Sequence, residues 1–388
     1  MSRKKILWLC SWYPSKLEPF NGDFIQRQAR TAALYNDIYV IHVTSDITGK
    51  IKQTEKIINK LPGLTEHIVY YRKSNSPFGK LISYFRWLSL FRQAIRRSMI
   101  EQGKPALVHV HIPYKAGIFG IWIKNRYKIP YVVTEHWGIY NDIEKENYSG
   151  RSATFKKLTK KIITKAARFI SVSSYLGNGV NKLVVKKDFQ VITNTVDTDL
   201  FYYQEKKSPV FRFIHVSNMV PLKNAEGILE AYNLFCRNHF NTELVMVGDS
   251  DPAIRSFAAQ LEFHGGSVKF CGEVPYKQVA LEMQHSNCLI LFSNIENSPC
   301  VIGEALCCGL PVIVTNVGGI PELVNKSNSL VVEPKEIEAL TNAMSEMVSN
   351  YSVYDHKKIA EDAKSKFSYS VIGKEFDEVY DSIISAIN

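Results

Sequence analysis

Residues 288–319, CLILFSNIENSPCVIGEALCCGLPVIVTNVGG, contain the pattern that decides the fold. An apolar run at each end is typical of a buried strand, and the middle opens on Ser-Pro and continues as an apolar stretch that suits a short helix. A strand, a helix and a second strand in this order form the unit from which parallel sheets are built. The stretch therefore predicts a parallel α/β sheet.

The same alternation extends over the rest of the chain. Val- and Ile-rich runs such as DIYVIHV, ALVHVHI, FRFIHVS and ELVMVGD are separated by amphipathic stretches, which predicts sheets covered by helices on both faces. A polar segment at 202–210 interrupts the pattern. We therefore predict two Rossmann-like domains, 1–201 and 211–368, that face each other across a cleft and are joined by a linker at 202–210. A C-terminal helix within 369–388 is predicted to pack back on the first domain.

Composition places the chain among ordinary globular proteins. Its 388 residues are 45% hydrophobic and 22% charged, which suits two domains of usual size. The apolar run ILWLC near the start is far shorter than the core of a signal peptide, so we expect a cytoplasmic protein. The seven cysteines lack CxxC spacing and mostly lie in apolar runs, which favours buried thiols over disulfides or a zinc site.

Charge is distributed unevenly between the two halves. Residues 1–200 contain 33 Lys and Arg against 14 Asp and Glu, a net charge of +19. Residues 201–388 contain 15 against 23, a net charge of −8. This asymmetry predicts that the first half alone faces an anionic partner. Nucleic acid, an anionic membrane surface and a phosphorylated substrate are the candidates.

One candidate phosphate contact follows the first strand of each predicted domain. Neither strand is followed by a GxGxxG motif, so dinucleotide binding has no support. Gly22 precedes a helix, where the lack of a side chain would let backbone N–H groups approach a phosphate. Lys223 follows the first strand of the second domain and would point towards the ligand crevice of such a sheet. A turn glycine and a solvated lysine are the alternative interpretations.

The opening stretch adds an anion site and two carboxylates. Ser298 is predicted to cap the helix, with Pro299 in its first turn, so that the free amides of Cys300, Val301 and Ile302 face the crevice. Glu296 lies just before this helix. Glu304 lies about two turns later on an apolar face, where an unpaired carboxylate would be costly, so it should be bound to something.

In their order and spacing these motifs resemble the retaining glycosyltransferases of family 4, the group 1 transferases, which have the two-domain GT-B fold. The resemblance runs from residue 5 to about residue 370. The E-x7-E element of the family matches Glu296 and Glu304, and the family's glycine-containing phosphate loop matches NGDFIQRQA. Further matches are SVSSYL, NTVDTDLF, HVSNMVPLKN and VGDSD.

The resemblance implies a role for each candidate residue. In the family, the second domain binds most of a nucleotide-sugar donor and the first domain binds the acceptor. Glu304 would hydrogen-bond the ribose and Glu296 the transferred sugar. The diphosphate would be held by Lys223, by Gly22 and by the amides of Cys300, Val301 and Ile302.

His136, in TEHW, matches the family's histidine near the transferred sugar; without the resemblance, a satisfied histidine at a strand end would be the favoured interpretation. The resemblance also implies a reaction that uses no metal and no cofactor beyond the donor itself. Two positions depart from the family pattern. Asn218 stands where an arginine usually accompanies the lysine in donor binding, and Thr195 stands where a glycine follows the asparagine of NTVD.

Residues 76–99, SPFGKLISYFRWLSLFRQAIRRSM, have the composition of a basic amphipathic helix. Such a helix can lie at an anionic bilayer surface, and a core-packed helix with a solvated basic face is the alternative. Related proteins with basic first domains often act on lipid-linked acceptors at the inner face of the cytoplasmic membrane. We therefore expect peripheral membrane association through the first domain.

The sequence as a whole predicts a metal-independent retaining glycosyltransferase that moves a hexose-type sugar onto a glycan or a lipid-linked acceptor. Synthesis of a surface polysaccharide or lipopolysaccharide is the expected setting. A nucleotide-sugar epimerase with the same fold is the alternative within enzymes. A basic nucleic-acid-binding protein is the alternative outside them, but the sequence contains no recognisable nucleic-acid-binding motif, so no nucleic-acid partner is expected.

Overall fold

The computed structural model describes residues 3–74, 76–141, 143, 146–205, 208–248 and 252–386. The chain divides into two compact units. The first contains Met1–Thr193 together with Tyr369–Asn388, and the second contains Asn194–Ser368. Each unit is a sheet covered by helices, so the predicted architecture of two Rossmann-like α/β units is confirmed.

The first unit is built on a sheet with the strand order β3-β4-β2-β1-β5-β6-β7-β8. All neighbouring strands are parallel except β3 and β4. β1 pairs with β2 from Lys5 opposite Asp37 to Cys10 opposite His42. The strands are β1 (Lys5–Cys10), β2 (Asp37–Asp46), β3 (Glu55–Leu61), β4 (Leu64–Arg72), β5 (Leu107–His111), β6 (Tyr131–Glu135), β7 (Arg168–Ser171) and β8 (Phe189–Val191).

Helices cover both faces of this sheet because its central strands are apolar on both sides. Every residue of β5 and β6 is buried, as expected for strands in the middle of a parallel sheet. The first five helices of this unit are α1 (Asp23–Ala32), α2 (Gly79–Gln102), α3 (Gly117–Tyr127), α4 (Ala153–Lys165) and α5 (Ser174–Leu183).

The second unit has the strand order β11-β10-β9-β12-β13-β14, and all its strand pairs are parallel. This is the order of the doubly wound nucleotide-binding fold. Its strands are β9 (Phe211–Val216), β10 (Thr242–Val247), β11 (Gly266–Gly272), β12 (Cys288–Leu291), β13 (Val312–Thr315) and β14 (Ser329–Val332). Its helices are α6 (Ala225–Phe235), α7 (Pro252–Ala258), α8 (Tyr276–Gln284), α9 (Cys300–Cys307), α10 (Ile337–Ser349) and α11 (His356–Phe367).

The last helix, α12 (Tyr369–Ser385), belongs to the first unit and packs against α1. Its buried face joins the core beneath Trp8 through Phe376 and Tyr380. Asp377 accepts hydrogen bonds from the Asn36 side chain at 2.8 Å and pairs with Lys4 at 2.7 Å. The helix is therefore fixed by apolar packing along its length and by ion pairs at its edge.

The boundary of the units differs from the predicted one. The sequence placed the end of the first domain at residue 201 and a linker at 202–210, whereas the structure places the boundary after Thr193. The reason is that Val196 pairs with Ser368 and Phe201 is fully buried in the core of the second unit. The polar composition of 202–210 therefore marks a surface segment of the second unit, and residues 206 and 207 lie outside the described residues.

Of the predicted packing cysteines, Cys10, Cys236, Cys288, Cys307 and Cys308 are buried. Within the described residues, no helix combines the length and the apolar character that crossing a bilayer requires.

Candidate active site

The loops after β9 and β12 lie side by side, because these strands are neighbours at the point where the strand order of the second unit reverses. Ligands of open α/β sheets bind outside the carboxyl ends of the strands at this point. Backbone contacts join the two loops. The Asn294 amide donates to the Leu222 carbonyl at 2.8 Å, and the Asn294 side chain donates to the Pro221 carbonyl at 3.3 Å.

Lys223 and Glu296 meet at this junction. Lys223 ends a short 3-10 turn after β9, and its ammonium donates to the Glu296 carboxylate at 2.5 Å. The Ser293 hydroxyl donates to the same carboxylate oxygen at 2.8 Å. The Glu296 side chain is largely buried and that of Lys223 is partly exposed. The structure therefore brings together two residues that the sequence predicted to contact the sugar and the diphosphate of a donor.

The position of the Glu296 backbone depends on the glycine pair after β13. Gly318 has a φ of +56°, and a Cβ added to it would lie 1.9 Å from the Glu296 carbonyl oxygen. The Gly319 amide donates to that same oxygen at 3.0 Å. Thr315 adds a hydrogen bond of 2.7 Å from its hydroxyl to the Ser293 carbonyl. Sequence reasoning assigned no role to Gly318, although the pair of glycines after a buried strand is the signal that a close backbone approach leaves.

Helix α9 begins one residue later than predicted. Pro299, with extended backbone (ψ 120°), occupies the N-cap position, and no side chain caps the helix, so the predicted cap by Ser298 is wrong. The Ser298 carbonyl instead accepts a hydrogen bond of 2.7 Å from the Asn194 side chain. A backbone N–H at the N-cap has no hydrogen-bond partner within the helix. Proline lacks this N–H, so it can occupy the position directly before the helix at no cost in hydrogen bonding. The first turn is Cys300, Val301 and Ile302. The Ile302 amide donates a hydrogen bond of 3.4 Å to the Pro299 carbonyl, so of the three amides that were predicted to be free this one is already engaged.

Glu304 is buried in the middle of α9 with only 4% of its surface exposed. The Tyr276 hydroxyl, at the start of α8, donates a short hydrogen bond to its carboxylate. The Tyr276 ring rests edge-on against Phe201 with 4.9 Å between ring centroids. Glu304 was expected to be bound to something, and its partner is Tyr276, which sequence reasoning missed. Burial, with a contribution from Glu304, raises the pKa of the Cys307 thiol to about 12.

Asn218 lies exposed in the loop after β9, where the family pattern has an arginine. Ser217 stabilises this loop. Its hydroxyl accepts a hydrogen bond from the Met219 amide at 2.9 Å and contacts His215 Nε2 at 2.7 Å. Burial lowers the pKa of His215 to about 4, so this histidine is neutral near pH 7. A Cβ on Gly248 would lie 1.8 Å from the Ser217 carbonyl oxygen, so the loop after β10 presses directly against this one.

Gly22 is the N-cap of α1 in the first unit and has a φ of +76°. A Cβ at this position would lie 2.8 Å from both the Trp12 carbonyl carbon and the Tyr13 amide nitrogen. A side chain would therefore be strained as well as crowded here. The glycine lets the start of α1 approach the loop that follows β1.

His136 lies at the end of β6 in a row of buried rings. Its Nε2 is 3.2 Å from Nδ1 of His111, and Phe24 of α1 packs on it with 5.0 Å between ring centroids. Burial lowers the pKa of His136 to about 3, so it is neutral at physiological pH. It can therefore act as a hydrogen-bonding group but not as a cation.

Glu135 precedes His136 and was missed by sequence reasoning. Its carboxylate accepts hydrogen bonds from the amides of His136 and Trp137, both at 2.9 Å, and from the Tyr140 hydroxyl at 2.6 Å. Burial raises the pKa of Glu135 to about 7 despite these bonds. Glu135 thereby fixes the backbone that carries His136. Among the described residues, no cluster of three or more His, Cys, Asp or Glu side chains could hold a metal ion.

Comparison with known families gives matches over most of the chain. The family described as "Glycosyl transferases group 1" matches residues 201–366, and "Glycosyltransferase Family 4" matches residues 29–200. The chain belongs to the family 4, group 1 glycosyltransferases. This glycosyltransferase is 27% identical over 395 residues to a putative teichuronic acid biosynthesis glycosyltransferase of Bacillus subtilis, with 96% of this chain and 95% of that protein covered.

Solved structures share the fold at low sequence identity. Sucrose-phosphate synthase from Thermosynechococcus elongatus matches with a TM-score of 0.76 and 18% identity over 99% of this chain and all (100%) of that one. HepE of Anabaena in complex with UDP matches with a TM-score of 0.71 and 17% identity over 97% of this chain and 100% of that one. The predicted GT-B fold class and the predicted family are thereby confirmed.

Proposed function

We propose that this glycosyltransferase takes a hexose-type sugar from a nucleoside diphosphate sugar and transfers it, with retention of anomeric configuration and without a metal ion, to a glycan or lipid-linked acceptor. The second unit binds the donor. Lys223 and the first-turn amides of Cys300 and Val301 hold the diphosphate. Glu296 binds the transferred sugar, and Glu304 binds the ribose.

The observation that carries the proposal is the contact between Lys223 and Glu296 beside the start of α9. A cation and a carboxylate one hydrogen bond apart match the two ends of a sugar–diphosphate linkage, which presents an anionic phosphate next to sugar hydroxyls. The pair lies where the strand order of its sheet reverses, which is the usual ligand position in such folds.

The chemistry of the reaction suits these groups. When the bond between the anomeric carbon and the phosphate oxygen breaks, positive charge develops on the sugar and negative charge on the leaving diphosphate. Preorganised N–H groups and an ammonium group stabilise the developing negative charge, and the carboxylate of Glu296 favours the sugar cation. The new bond forms to a hydroxyl oxygen of the acceptor, and the proton of that hydroxyl passes to an oxygen of the departing diphosphate. In the first unit, His136 and Gly22 are proposed to contact the transferred sugar and the phosphates, and exposed Asn218 to contact the donor in place of an arginine.

The pathway proposal is synthesis of a bacterial surface polysaccharide or lipopolysaccharide. Its support is the likeness over nearly the whole chain to the Bacillus subtilis protein, whose name places that protein in teichuronic acid biosynthesis. The identity of 27% leaves this chain's own acceptor and sugar to experiment.

Peripheral association with the cytoplasmic face of an anionic membrane is proposed for the first unit. At the start of α2 the apolar side chains of Phe78, Leu81 and Phe85 are 74%, 56% and 59% exposed. They alternate with exposed Lys80 and Arg86. Apolar and basic side chains exposed together on one helix are typical of helices that lie in a membrane interface. Further along the same helix the apolar residues turn into the core, where Phe91 and Ile95 are buried.

A donor screen followed by product analysis tests the proposal. UDP, GDP and ADP are compared for their effect on the melting temperature of the purified full chain, and the sugar conjugates of the stabilising nucleotide are then tested for turnover with and without EDTA. Proton NMR of the product reports whether the anomeric configuration is retained. The proposal predicts stabilisation by at least one nucleoside diphosphate, retention, and unchanged turnover in EDTA. Inversion at the anomeric carbon, or loss of turnover in EDTA that added metal restores, would overturn the corresponding part.

A further inference from the structure

A cavity of about 910 Å³ lies within the first unit, on the carboxyl side of its sheet. Its walls come from the loops and strand ends that follow β1, β2, β4 and β5, and from one face of α2. The strand order of this sheet reverses between β1 and β5, so the cavity occupies the ligand position of the first unit. The Lys223–Glu296 pair lies in the second unit and does not contribute to it.

The cavity is cationic. Lys50, Lys73, Lys80 and Lys115 line it, and none of the four pairs with a carboxylate in the part of the chain that the structure describes. Four unpaired ammonium groups around one concave surface repel one another, so an anion bound among them would relieve that repulsion.

The two acidic residues of the lining do not offset this charge equally. The Asp46 carboxylate accepts hydrogen bonds from its own loop, from the amide of Thr48 at 2.7 Å and from that of Ile51 at 2.5 Å. These bonds hold the pKa of Asp46 below its usual value. Glu18, also in the lining, accepts a hydrogen bond of 3.1 Å from the Asn21 side chain. Asp46 therefore shapes the loop that carries Lys50, and it is already engaged by amides.

Lys115 is held in an uncommon backbone conformation. It has a φ of +70°, and Ile112 in the same loop has a φ of +63°, which is rare for a β-branched residue. The Ser11 hydroxyl fixes the loop, because its oxygen lies 3.0 Å from the Ile112 carbonyl oxygen and 2.5 Å from that of Tyr114, and accepts from the Ala116 amide at 3.1 Å. Strained backbone that the surroundings maintain is concentrated at functional sites. Desolvation lowers the pKa of Lys115, the charge of Glu18 partly offsets this effect, and the charge of Lys73 lowers the pKa further.

The opposite wall is aromatic and apolar. Tyr84, Trp87 and Phe91 of α2 line the cavity, and Phe155 of α4 lines it as well. Trp87 packs on Phe91 with 5.4 Å between ring centroids, so this wall is continuous with the core. Leu81 and Phe85, exposed on the same first turns of α2, continue the apolar surface outward from the cavity. A ligand that fits both walls has an anionic group and an apolar or ring-containing part.

We propose that this cavity binds a phosphorylated ligand, with the phosphoryl oxygens between Lys73 and Lys115 and its apolar or sugar portion against the aromatic wall. This rests on the proposed function in one respect, since in a glycosyltransferase the ligand of this unit is the acceptor. A phosphoryl group is preferred to a single carboxylate because the four ammonium groups exceed the carboxylates of Asp46 and Glu18 by two charges, which is more than one bound carboxylate carries. Among the described residues the lining contains lysines, which bind phosphate as point charges, and no arginine. The phosphoryl group can come from a lipid-linked diphosphate or from a water-soluble sugar phosphate.

Isothermal titration at an ionic strength of about 0.15 M, where the Debye length is about 8 Å, distinguishes these sources. The probes are farnesyl diphosphate, glucose 1-phosphate and farnesol, titrated into the full chain. The test variant is Lys73→Met with Lys115→Met, which keeps the apolar stems. The matched control is Lys60→Met with Lys104→Met, two exposed lysines outside the cavity that remove the same total charge.

The proposal predicts that at least one phosphorylated probe binds and that farnesol binds more weakly than this probe. The test variant should bind the phosphorylated probe with an affinity about tenfold lower or worse. The control should remain within about twofold, because long-range charge is screened. Tighter binding of farnesyl diphosphate than of glucose 1-phosphate identifies a lipid-linked ligand, and equal or reversed affinities identify a soluble one. Absence of binding by both phosphorylated probes, or equal affinities in the test and control variants, overturns the proposal.

The melting shift caused by UDP, GDP or ADP separates this result from the proposed function. The test variant should keep the nucleotide shift of the unaltered chain, because neither Lys73 nor Lys115 is among the residues proposed to hold the donor. If phosphorylated probes bind in the cavity but no nucleoside diphosphate stabilises the protein, the proposed function fails while the cavity assignment stands. Circular dichroism of the test variant excludes misfolding as the cause of lost binding.

Discussion

Lys223 Nζ and Glu296 Oε1 lie 2.5 Å apart, although the two residues follow different strands of the second sheet. The neighbouring positions of β9 and β12 produce this contact, and the bonds from Asn294 to Pro221 and Leu222 hold the two loops together. Each side chain of the pair orients the other. A ligand that contacts one of them therefore lies within reach of the other. The predictions below depend on this arrangement and on the groups that support it.

Replacing Lys223 should weaken both nucleotide binding and folding. In Lys223→Met the ammonium is lost, and we expect the affinity for the stabilising nucleoside diphosphate to fall about tenfold or more, as for loss of one charge-assisted hydrogen bond. The free energy of unfolding should fall by about 1–3 kcal/mol, since the largely buried Glu296 carboxylate loses its cation and keeps only the hydrogen bond from Ser293. Titration calorimetry and urea unfolding measure the two quantities. Lys277→Met, on the exposed side of α8, is the control, and an equal loss of affinity there would contradict the assignment.

Gly318 should be intolerant of any side chain. In Gly318→Ala the new Cβ would meet the Glu296 carbonyl oxygen at 1.9 Å, and the φ of +56° adds strain of its own. The matched control is Gly272→Ala, with a φ of +70° and no atom within 4 Å of its Cβ. The control should cost about 1–2 kcal/mol of unfolding free energy, from backbone strain alone. Gly318→Ala should cost clearly more and should also abolish turnover, because Glu296 moves. Equal costs in urea unfolding would show that the close approach is unimportant.

The Tyr276 hydroxyl should matter through Glu304. Tyr276→Phe leaves the ring against Phe201 but removes one hydrogen bond from a buried carboxylate, and we expect a loss of about 1–3 kcal/mol in unfolding free energy. Nucleotide affinity should fall as well if Glu304 binds the ribose. Tyr84→Phe, at a half-exposed tyrosine, should change stability by less than about 0.5 kcal/mol. A stable Tyr276→Phe with unchanged nucleotide affinity would rule out this role.

Buried histidines should make the protein sensitive to acid. Burial lowers the pKa of His42, His67 and His215 to about 4 and that of His136 to about 3, below the ordinary value of 6.5. The unfolded chain therefore binds more protons between about pH 4 and 6.5, and stability rises with pH across that window. Glu135 acts in the opposite direction between about pH 4.5 and 7, because its folded-state pKa is raised.

One variant isolates a single histidine. His215→Gln should reduce the rise in unfolding free energy near pH 5 by up to about 1.4 kcal/mol per pH unit, the value for one proton. Urea titrations at pH 5.0, 5.5, 6.0 and 6.5 (roughly half-unit steps across the window) measure this slope. His264→Gln, at an exposed site, is the matched control. A slope unaffected by His215→Gln would show that folding does not change the pKa of His215.

Much of the fold could be predicted because the strands of both sheets are apolar and alternate regularly with helices. The unit boundary could not, because the polar composition of 202–210 is a local property, whereas the pairing of Val196 with Ser368 and the burial of Phe201 depend on residues far along the chain. The cap of α9 was misplaced by one residue, since Ser298 and Pro299 are both acceptable at a helix start.

The candidate site divides in the same way. Glu296, Lys223 and Glu304 lie on motifs that can be read along the chain. Their partners cannot be read in this way, because Tyr276 reaches Glu304 from another helix and Gly318 meets Glu296 from another strand end. The left-handed conformation of Lys115 depends on Ser11, which is about a hundred residues earlier in the chain, so its orientation is likewise visible only in three dimensions.

The most direct test of the account is sugar transfer by Glu296→Gln, compared with Glu230→Gln on an exposed face of α6. With the donor that the screen identifies, Glu296→Gln should lose at least about a hundredfold in kcat/KM while keeping its melting temperature within a few degrees, because a group acting on the transition state is removed and Lys223 remains in place. Glu230→Gln should transfer sugar at the rate of the unaltered chain. Full turnover by Glu296→Gln would contradict the central claim.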